Sequence, residues 1–138
     1  MSGYSGTPLA KKLGIAAGSK LFVADAPENY RALLEPWPED VTVLPHLSSK
    51  ADVVHVFVTS RLALEKHLKK CLTGMRDDAT LWISWPKKSA KLPTDITEDT
   101  IRDMALPMGL VDIKVCAVDD TWSGLKLVVR KANRKHRG

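Results

Sequence analysis

Long apolar runs are missing from this sequence, and cysteine is scarce. No run approaches the ~18 consecutive apolar residues of a membrane span, and Met1–Lys12 has no apolar signal-peptide core. Export is therefore not expected, and the chain is predicted to be cytoplasmic. The only cysteines, Cys71 and Cys116, fall at apolar positions of predicted elements. This pattern predicts two buried thiols, with a disulfide or redox pair as the alternative.

Motifs for common chemistry are also absent. The sequence has no GxGxxG, no phosphate-binding P-loop, no GxSxG and no HxH, HExxH or CxxC spacing. These absences argue against dinucleotide binding, a hydrolase triad and a zinc site. Among the four histidines, His55 alone lies inside a predicted strand. We interpret it as a core residue whose ring is hydrogen-bonded.

Acidic residues are missing after Asp120, whereas five basic residues close the chain: Arg130, Lys131, Arg134, Lys135 and Arg137. Removing these five from the 21 basic residues leaves as many as the 16 acids, so the isoelectric point near 9.3 reflects the C-terminus. We predict one domain over residues 1–131 and a flexible basic tail over residues 132–138. The tail either solubilises the chain or contacts nucleic acid through its phosphates.

Apolar stretches of strand length are present instead, separated by helical patterns. Leu21–Ala24, Val53–Val58 and Leu81–Trp85 are apolar almost throughout, which is typical of parallel strands covered on both faces. Val41–Leu44 is a shorter strand. With 138 residues, the chain has the length of one domain, which typically buries roughly 70% of its unfolded surface.

Each strand is followed by a helix start or a turn. Asp25 and Glu28 have capping-box spacing and predict a helix after the first strand. Ser60 is placed to cap a helix with an apolar stripe from Leu64 to Met75, and Thr97 opens another helix that Gly109 ends.

The chain ends with two strands in succession. Leu110–Val118 and Leu125–Arg130 flank a polar turn, Asp119–Gly124, which predicts an antiparallel hairpin. The whole pattern predicts an α/β, Rossmann-like three-layer sandwich, with a mostly parallel sheet of about six strands.

A strand–helix series that ends in an antiparallel hairpin resembles the S-adenosylmethionine-dependent methyltransferase fold in shortened form, over roughly residues 18–131. In addition, Lys12–Ile15, Trp85–Lys88 and Trp122–Val128 are similar to segments of short bacterial proteins that carry a domain of unknown function. The resemblance implies kinship and a methyltransferase-like scaffold, but no particular activity.

The methyltransferase pattern is not followed where its cofactor would bind. That family has an acid near the end of the first strand, where this chain has Ala24, and then a glycine-rich turn, where it has Ala26, Glu28 and Tyr30. An acid is usual at the end of the second strand, where Pro45 and His46 stand here. We therefore expect no cofactor, and S-adenosylmethionine is kept as the alternative.

Ligands of open α/β sheets bind beyond the carboxyl ends of the strands. The candidate cleft residues are those that follow the strands or form the hairpin turn: Asp25, Glu28, Asn29, Thr59, Ser60, Trp85, Lys87, Lys88, Asp119, Asp120, Trp122 and Ser123. Helix capping alone would also explain Asp25, Glu28 and Ser60, and turn formation would explain the two later aspartates.

Three functions compete. The first is a non-catalytic methyltransferase-like binding or regulatory module, whose cleft takes a small anionic ligand or a protein segment. The second is a methyltransferase with a degenerate S-adenosylmethionine site. The third is a nucleic-acid-associated protein that uses the basic tail. A monomer and a homodimer both fit the sequence.

Overall fold

The computed structural model describes residues 7–133, and it shows an α/β sandwich built on one mixed sheet. The strands are β1 Lys20–Ala24, β2 Thr42–Val43, β3 Val53–Phe57, β4 Thr80–Pro86, β5 Leu110–Ala117 and β6 Trp122–Val129. The α-helices are α1 Leu9–Leu13, α2 Tyr30–Leu33, α3 Arg61–Gly74 and α4 Glu98–Ala105. Short 3₁₀ turns cover Lys88–Ala90, Leu106–Met108 and Lys131–Asn133.

The sheet order is β2-β1-β3-β4-β6-β5. The pairs β1–β2, β1–β3 and β3–β4 are parallel, whereas β6 is antiparallel to both β4 and β5. The chain runs from β1 outward to β2 and then crosses back to β3 on the other side of β1. Successive strands are therefore added to one side of β1 first and then to the other side, starting with β3. This reversal of strand order makes the carboxyl ends of β1 and β3 the topological switch point. The predicted fold class is confirmed.

Helices cover both faces of the sheet. On one face, α1 and α2 pack against Leu21, Val53 and Trp82. On the other, α3 and α4 pack against a larger cluster that includes Val56 and Ile83. This two-sided burial explains why the inner strands are apolar at nearly every position. None of the helices within residues 7–133 is long and apolar enough to cross a membrane.

Two predicted boundaries were wrong. The helix after β1 does not begin at Asp25, because that residue adopts a left-handed φ of 58° and α2 starts at Tyr30. The hairpin turn is shorter than predicted, since β6 already begins at Trp122. The Asp119 carboxylate accepts hydrogen bonds from the backbone N–H groups of Thr121 and Trp122, both at 2.8 Å, and this tightens the turn.

The prediction of two buried thiols is confirmed for Cys71 but not for Cys116. Cys71 is buried on α3, and burial raises the pKa of its thiol to about 12. Cys116, near the end of β5, is only half-buried. Both thiols are free.

The predicted tail lies mostly beyond the described part of the chain. Arg134, Lys135 and Arg137 are outside it. Arg130 and Lys131 are exposed, and the Arg130 N–H donates to the Gly109 carbonyl at 2.8 Å. Lys131 begins a 3₁₀ turn.

A hydrogen-bonded chain of three side chains crosses the core on the α1/α2 face. The ring of His55 lies between the Tyr30 hydroxyl, 2.9 Å from Nδ1, and the Ser84 hydroxyl, 2.7 Å from Nε2. His55 and Ser84 have no exposed surface. Burial lowers the pKa of His55 to about 3 and raises that of Tyr30, so both groups are neutral. The interpretation of His55 as a satisfied core histidine is confirmed.

Candidate functional site

The carboxyl edge of the sheet collects residues from four strands. β1, β3 and β4 end there, and the antiparallel β6 begins there, so that Trp85 pairs with Ser123 and Pro86 with Trp122. Segments that are far apart in sequence are therefore adjacent at this edge.

A cleft of about 470 Å³ opens between the end of β4 and the start of α4. We call it the β4–α4 cleft. It is lined by Trp85, Pro86, Lys87, Lys88, Leu92, Thr94, Ile96, Thr97, Glu98 and Ser123. Four of the predicted candidates meet there, namely Trp85, Lys87, Lys88 and Ser123.

The loop that forms one wall of the cleft is held at both ends. The Lys87 N–H donates to the Thr121 carbonyl at 2.8 Å, which ties the loop to the hairpin turn. The Thr94 hydroxyl donates to the Thr59 carbonyl at 2.7 Å, and the Asp95 carboxylate accepts from the Arg61 N–H at 2.8 Å. The wall is therefore preorganised rather than loose.

The N-terminus of helix α4, which faces the cleft, is capped by side chains of its own first turn. Thr97 and Thr100 cap each other reciprocally, so the first N–H groups of the helix are already partly satisfied. Glu98 is paired with Arg102, which also binds Asp112 at 2.7 Å. Arg102 thus offsets part of the negative charge that Glu98 places on this wall.

Lys87 and Lys88 differ from Glu98 in this respect. Within residues 7–133, no salt bridge joins either lysine to an acidic side chain. Lys87 is half-buried and Lys88 is exposed. The cleft therefore has a positive side with no internal counter-charge.

The other predicted candidates lie outside the cleft, and several have structural roles. Ser60 caps α3 by accepting from the Ala63 N–H at 3.1 Å. Asp25 does not cap α2; its carboxylate contacts Nε2 of His67 at 2.9 Å instead. Glu28 and Asn29 are exposed beside β1, and Asn29 precedes α2 without a side-chain cap. Thr59 takes part through its backbone carbonyl, which accepts the hydrogen bond from the Thr94 hydroxyl.

Trp85 and Trp122 do not line a common pocket, contrary to the prediction. Trp85 is only 7% exposed and belongs to the core cluster under α3 and α4. Trp122 is half-buried on the opposite face, where its ring meets Phe57 edge to face at 5.0 Å. Trp122 pairs with Pro86 and not with Trp85. Because successive side chains of a strand point to opposite faces of the sheet, Trp85 and Trp122 lie on different faces. Asp119 is engaged in the turn, and Asp120 remains exposed.

Sequence reasoning missed the far wall of the cleft. The sequence placed Thr97 only at the start of a helix, and Thr94 and Glu98 were not among the candidate residues. Their position in the connection between β4 and α4 was the available clue, because loops after parallel strands form ligand sites. The contact between Asp25 and His67 had no sequence signature, since 42 residues separate them.

The switch point does not match the family's cofactor pattern. Between Ala24 and Leu34 the chain has no glycine, and Asp25 occupies the left-handed conformation that favours glycine. Tyr30, at a position where the pattern has glycine, is a buried aromatic bonded to His55. The loop therefore carries side chains where the pattern requires bare backbone. The residues after β1 therefore do not fit S-adenosylmethionine as the glycine-rich turn of that family does.

Comparison with known proteins places the chain by fold. It is similar to a SAM-dependent methyltransferase from Aquifex aeolicus, with a TM-score of 0.56 and 13% identity over 88% of this chain and 87% of the other. It also resembles the m1A22 tRNA methyltransferase of B. subtilis, with a TM-score of 0.55 and 9% identity over 88% of this chain and 63% of the other. A third similar structure is Aeropyrum pernix fibrillarin in complex with natively bound S-adenosyl-L-methionine, with a TM-score of 0.52 and 12% identity over 91% of this chain and 70% of the other. The domain thus has a Rossmann-like, methyltransferase-like fold.

A scan of protein-family models and a search of curated proteins both found no match. The kinship to short bacterial proteins with a domain of unknown function therefore stays a prediction.

Proposed function

We propose that this methyltransferase-like domain binds a small anionic molecule in the β4–α4 cleft. The observation that carries the proposal is the position of Lys87 and Lys88, two cations without an acidic partner in the described chain, beside the cleft hydroxyls. The Ser123 hydroxyl can donate a hydrogen bond to an oxygen of the same ligand, whereas the Thr94 hydroxyl already donates to the Thr59 carbonyl and the Thr97 hydroxyl is engaged with Thr100.

The size and the rigidity of the cleft support this proposal. Its volume of about 470 Å³ lies in the range of roughly 300–1,000 Å³ that is usual for small-molecule sites. The loop tied to Thr59 and Thr121 keeps the wall in place, which reduces the ordering cost of binding.

The test uses isothermal titration calorimetry of the purified chain with inorganic phosphate, pyrophosphate and a nucleoside monophosphate. Binding of at least one anion should weaken on the order of tenfold in Lys87→Met/Lys88→Met, the loss expected for one charged hydrogen bond. Lys91→Met is the matched control, because Lys91 lies in the same loop outside the cleft. Unaltered affinity in the double variant would refute the site.

A second candidate is S-adenosylmethionine-dependent methyl transfer. The similarity to methyltransferases of known structure favours it over a purely non-catalytic module. The glycine-free loop after β1 argues against it. Titration with S-adenosylmethionine separates the two candidates. Micromolar binding that survives Lys87→Met/Lys88→Met would replace the anion proposal with a methyltransferase.

A further inference from the structure

A separate cavity of about 210 Å³ lies on the α3-covered face of the sheet. Its walls come from β1, β3, α3 and the segment that joins β2 to β3. We call it the histidine cavity, after His46 and His67 at its rim. It shares no lining residue with the β4–α4 cleft.

The cavity exists because no helix connects β2 to β3. An irregular segment, residues 44–52, covers this part of the sheet instead, and Leu47 packs half-buried against the core. Its contact with α3 is close: a Cβ on Gly74 would lie 2.9 Å from the Leu47 side chain. Arg76 holds the end of the segment by binding Asp52 at 2.6 Å. The wall is therefore fixed at one end of the cavity.

The floor of the cavity is apolar. It is formed by the ring of Phe22, the buried side chain of Val56 and the thiol of Cys71. Since burial raises the pKa of Cys71, the thiol stays protonated and contributes an apolar surface rather than a nucleophile.

The rim carries nitrogen atoms. His46 and Lys70 are exposed, and His67 lines the cavity from the middle of α3. Asp25 contacts Nε2 of His67 at 2.9 Å. A carboxylate only accepts hydrogen bonds, so Nε2 carries the proton and the ring orientation is set. No acidic residue lines the cavity itself.

An apolar floor with an aromatic ring, below a rim that carries the ammonium of Lys70, selects a particular kind of molecule. We infer that the histidine cavity binds a small planar aromatic carboxylate of benzoate size. Its ring would lie against Phe22 and Val56, and its carboxylate would face Lys70 and His46. A neutral aromatic would leave the Lys70 ammonium in water, and a phosphate alone would leave the apolar floor unused.

The test uses the full ¹⁵N-labelled chain titrated with sodium benzoate and followed by NMR. Amide shifts should move at Phe22, His46 and Lys70, with millimolar affinity, as expected for a ligand of this size. Benzamide, which has the same shape without the charge, should bind more weakly. Lys70→Met should weaken benzoate binding about fivefold, the equivalent of one surface ion pair.

Lys69→Met is the control, because Lys69 is equally charged but pairs with Glu65 outside the cavity. It should leave benzoate affinity within about twofold of the wild-type value. No shift at these amides with about 20 mM benzoate, well above a millimolar Kd, would overturn the inference. So would equal binding of benzamide, equal losses in both lysine variants, or preferential binding of adenosine. None of these results bears on the β4–α4 cleft.

Discussion

Acid should destabilise this domain through one buried side chain. His55 lies wholly inside the core, between the hydroxyls of Tyr30 and Ser84, and its ring stacks on Phe57 with centroids 4.4 Å apart. Two hydroxyls satisfy the neutral ring, because each can donate or accept. They provide no counter-charge for an imidazolium, and burial therefore lowers the pKa to about 3.

The size of the effect follows from the two pKa values. The unfolded chain takes up the proton near pH 6.5, whereas the folded chain takes it up only near pH 3. Between these values the unfolded state binds more protons, so the free energy of unfolding falls as the pH falls. At about 1.4 kcal/mol per pH unit, lowering the pH from 7 to 5 should cost about 2 kcal/mol. That is a substantial part of the 5–15 kcal/mol or so that stabilises an ordinary domain.

Urea unfolding followed by circular dichroism at pH 7 and pH 5 measures this loss. The variant Tyr30→Phe/His55→Phe/Ser84→Ala removes the titrating ring together with both hydroxyl partners, so no polar group is left unsatisfied. Its loss between the two pH values should fall below about 0.5 kcal/mol. His46→Gln is the control: it removes an exposed histidine and should keep the full effect.

The reasoning would be refuted by a wild-type loss below about 0.5 kcal/mol, or by an equal loss in the triple variant. If the triple variant does not fold, NMR titration of the wild-type His55 ring decides the question. Its ring proton shifts should stay constant from pH 7 to pH 5. A midpoint near pH 6.5 in the folded protein would contradict the buried neutral state.

Three further substitutions test the packing, each by its midpoint of urea unfolding. Gly124→Ala should cost about 1–3 kcal/mol, because a Cβ there would lie 3.2 Å from the Ser84 hydroxyl oxygen and 3.2 Å from Trp82 Cε3; a neutral result would show that these side chains move freely. Ser60→Ala should cost about 1 kcal/mol by removing the cap of α3, whereas Ser60→Thr should retain most of it; equal losses would contradict the cap. Arg76→Met should cost roughly 1 kcal/mol, less in 1 M salt, by releasing Asp52; a loss insensitive to salt would point to packing instead.

Much of the fold could be predicted because burial on two faces leaves a simple pattern. Val53–Val58 is apolar at nearly every position, since helices cover both sides of β3. The terminal hairpin was predicted for a similar reason, from a polar turn between two apolar runs. The strand order was not predictable at residue level, because parallel pairing leaves no local mark in the sequence.

The start of α2 shows where local rules fail. Asp25 and Glu28 have the spacing of a capping box, yet Asp25 turns left-handed and contacts His67 on α3. The Asp25 carboxylate contacts a residue 42 positions away, whereas capping propensity describes only neighbours along the chain.

Part of the candidate site follows from the general rule that ligands bind at the carboxyl edge of the sheet. The carboxyl-edge rule selected Lys87, Lys88 and Ser123, and all three line the β4–α4 cleft. It also grouped Trp85 with Trp122, which alternate side-chain directions place on opposite faces of the sheet.

The position of β6 has a consequence for how the molecule is assembled. The last strand within residues 7–133 is an interior one: it lies between β4 and β5 and supplies the only pairing that β5 has there. During synthesis, β5 must wait for β6 to leave the ribosome before it can join the other strands. A deletion that reaches Trp122–Val129 removes β6 and with it the pairing of β5, while a fusion placed after Asn133 leaves the six strands of this sheet intact.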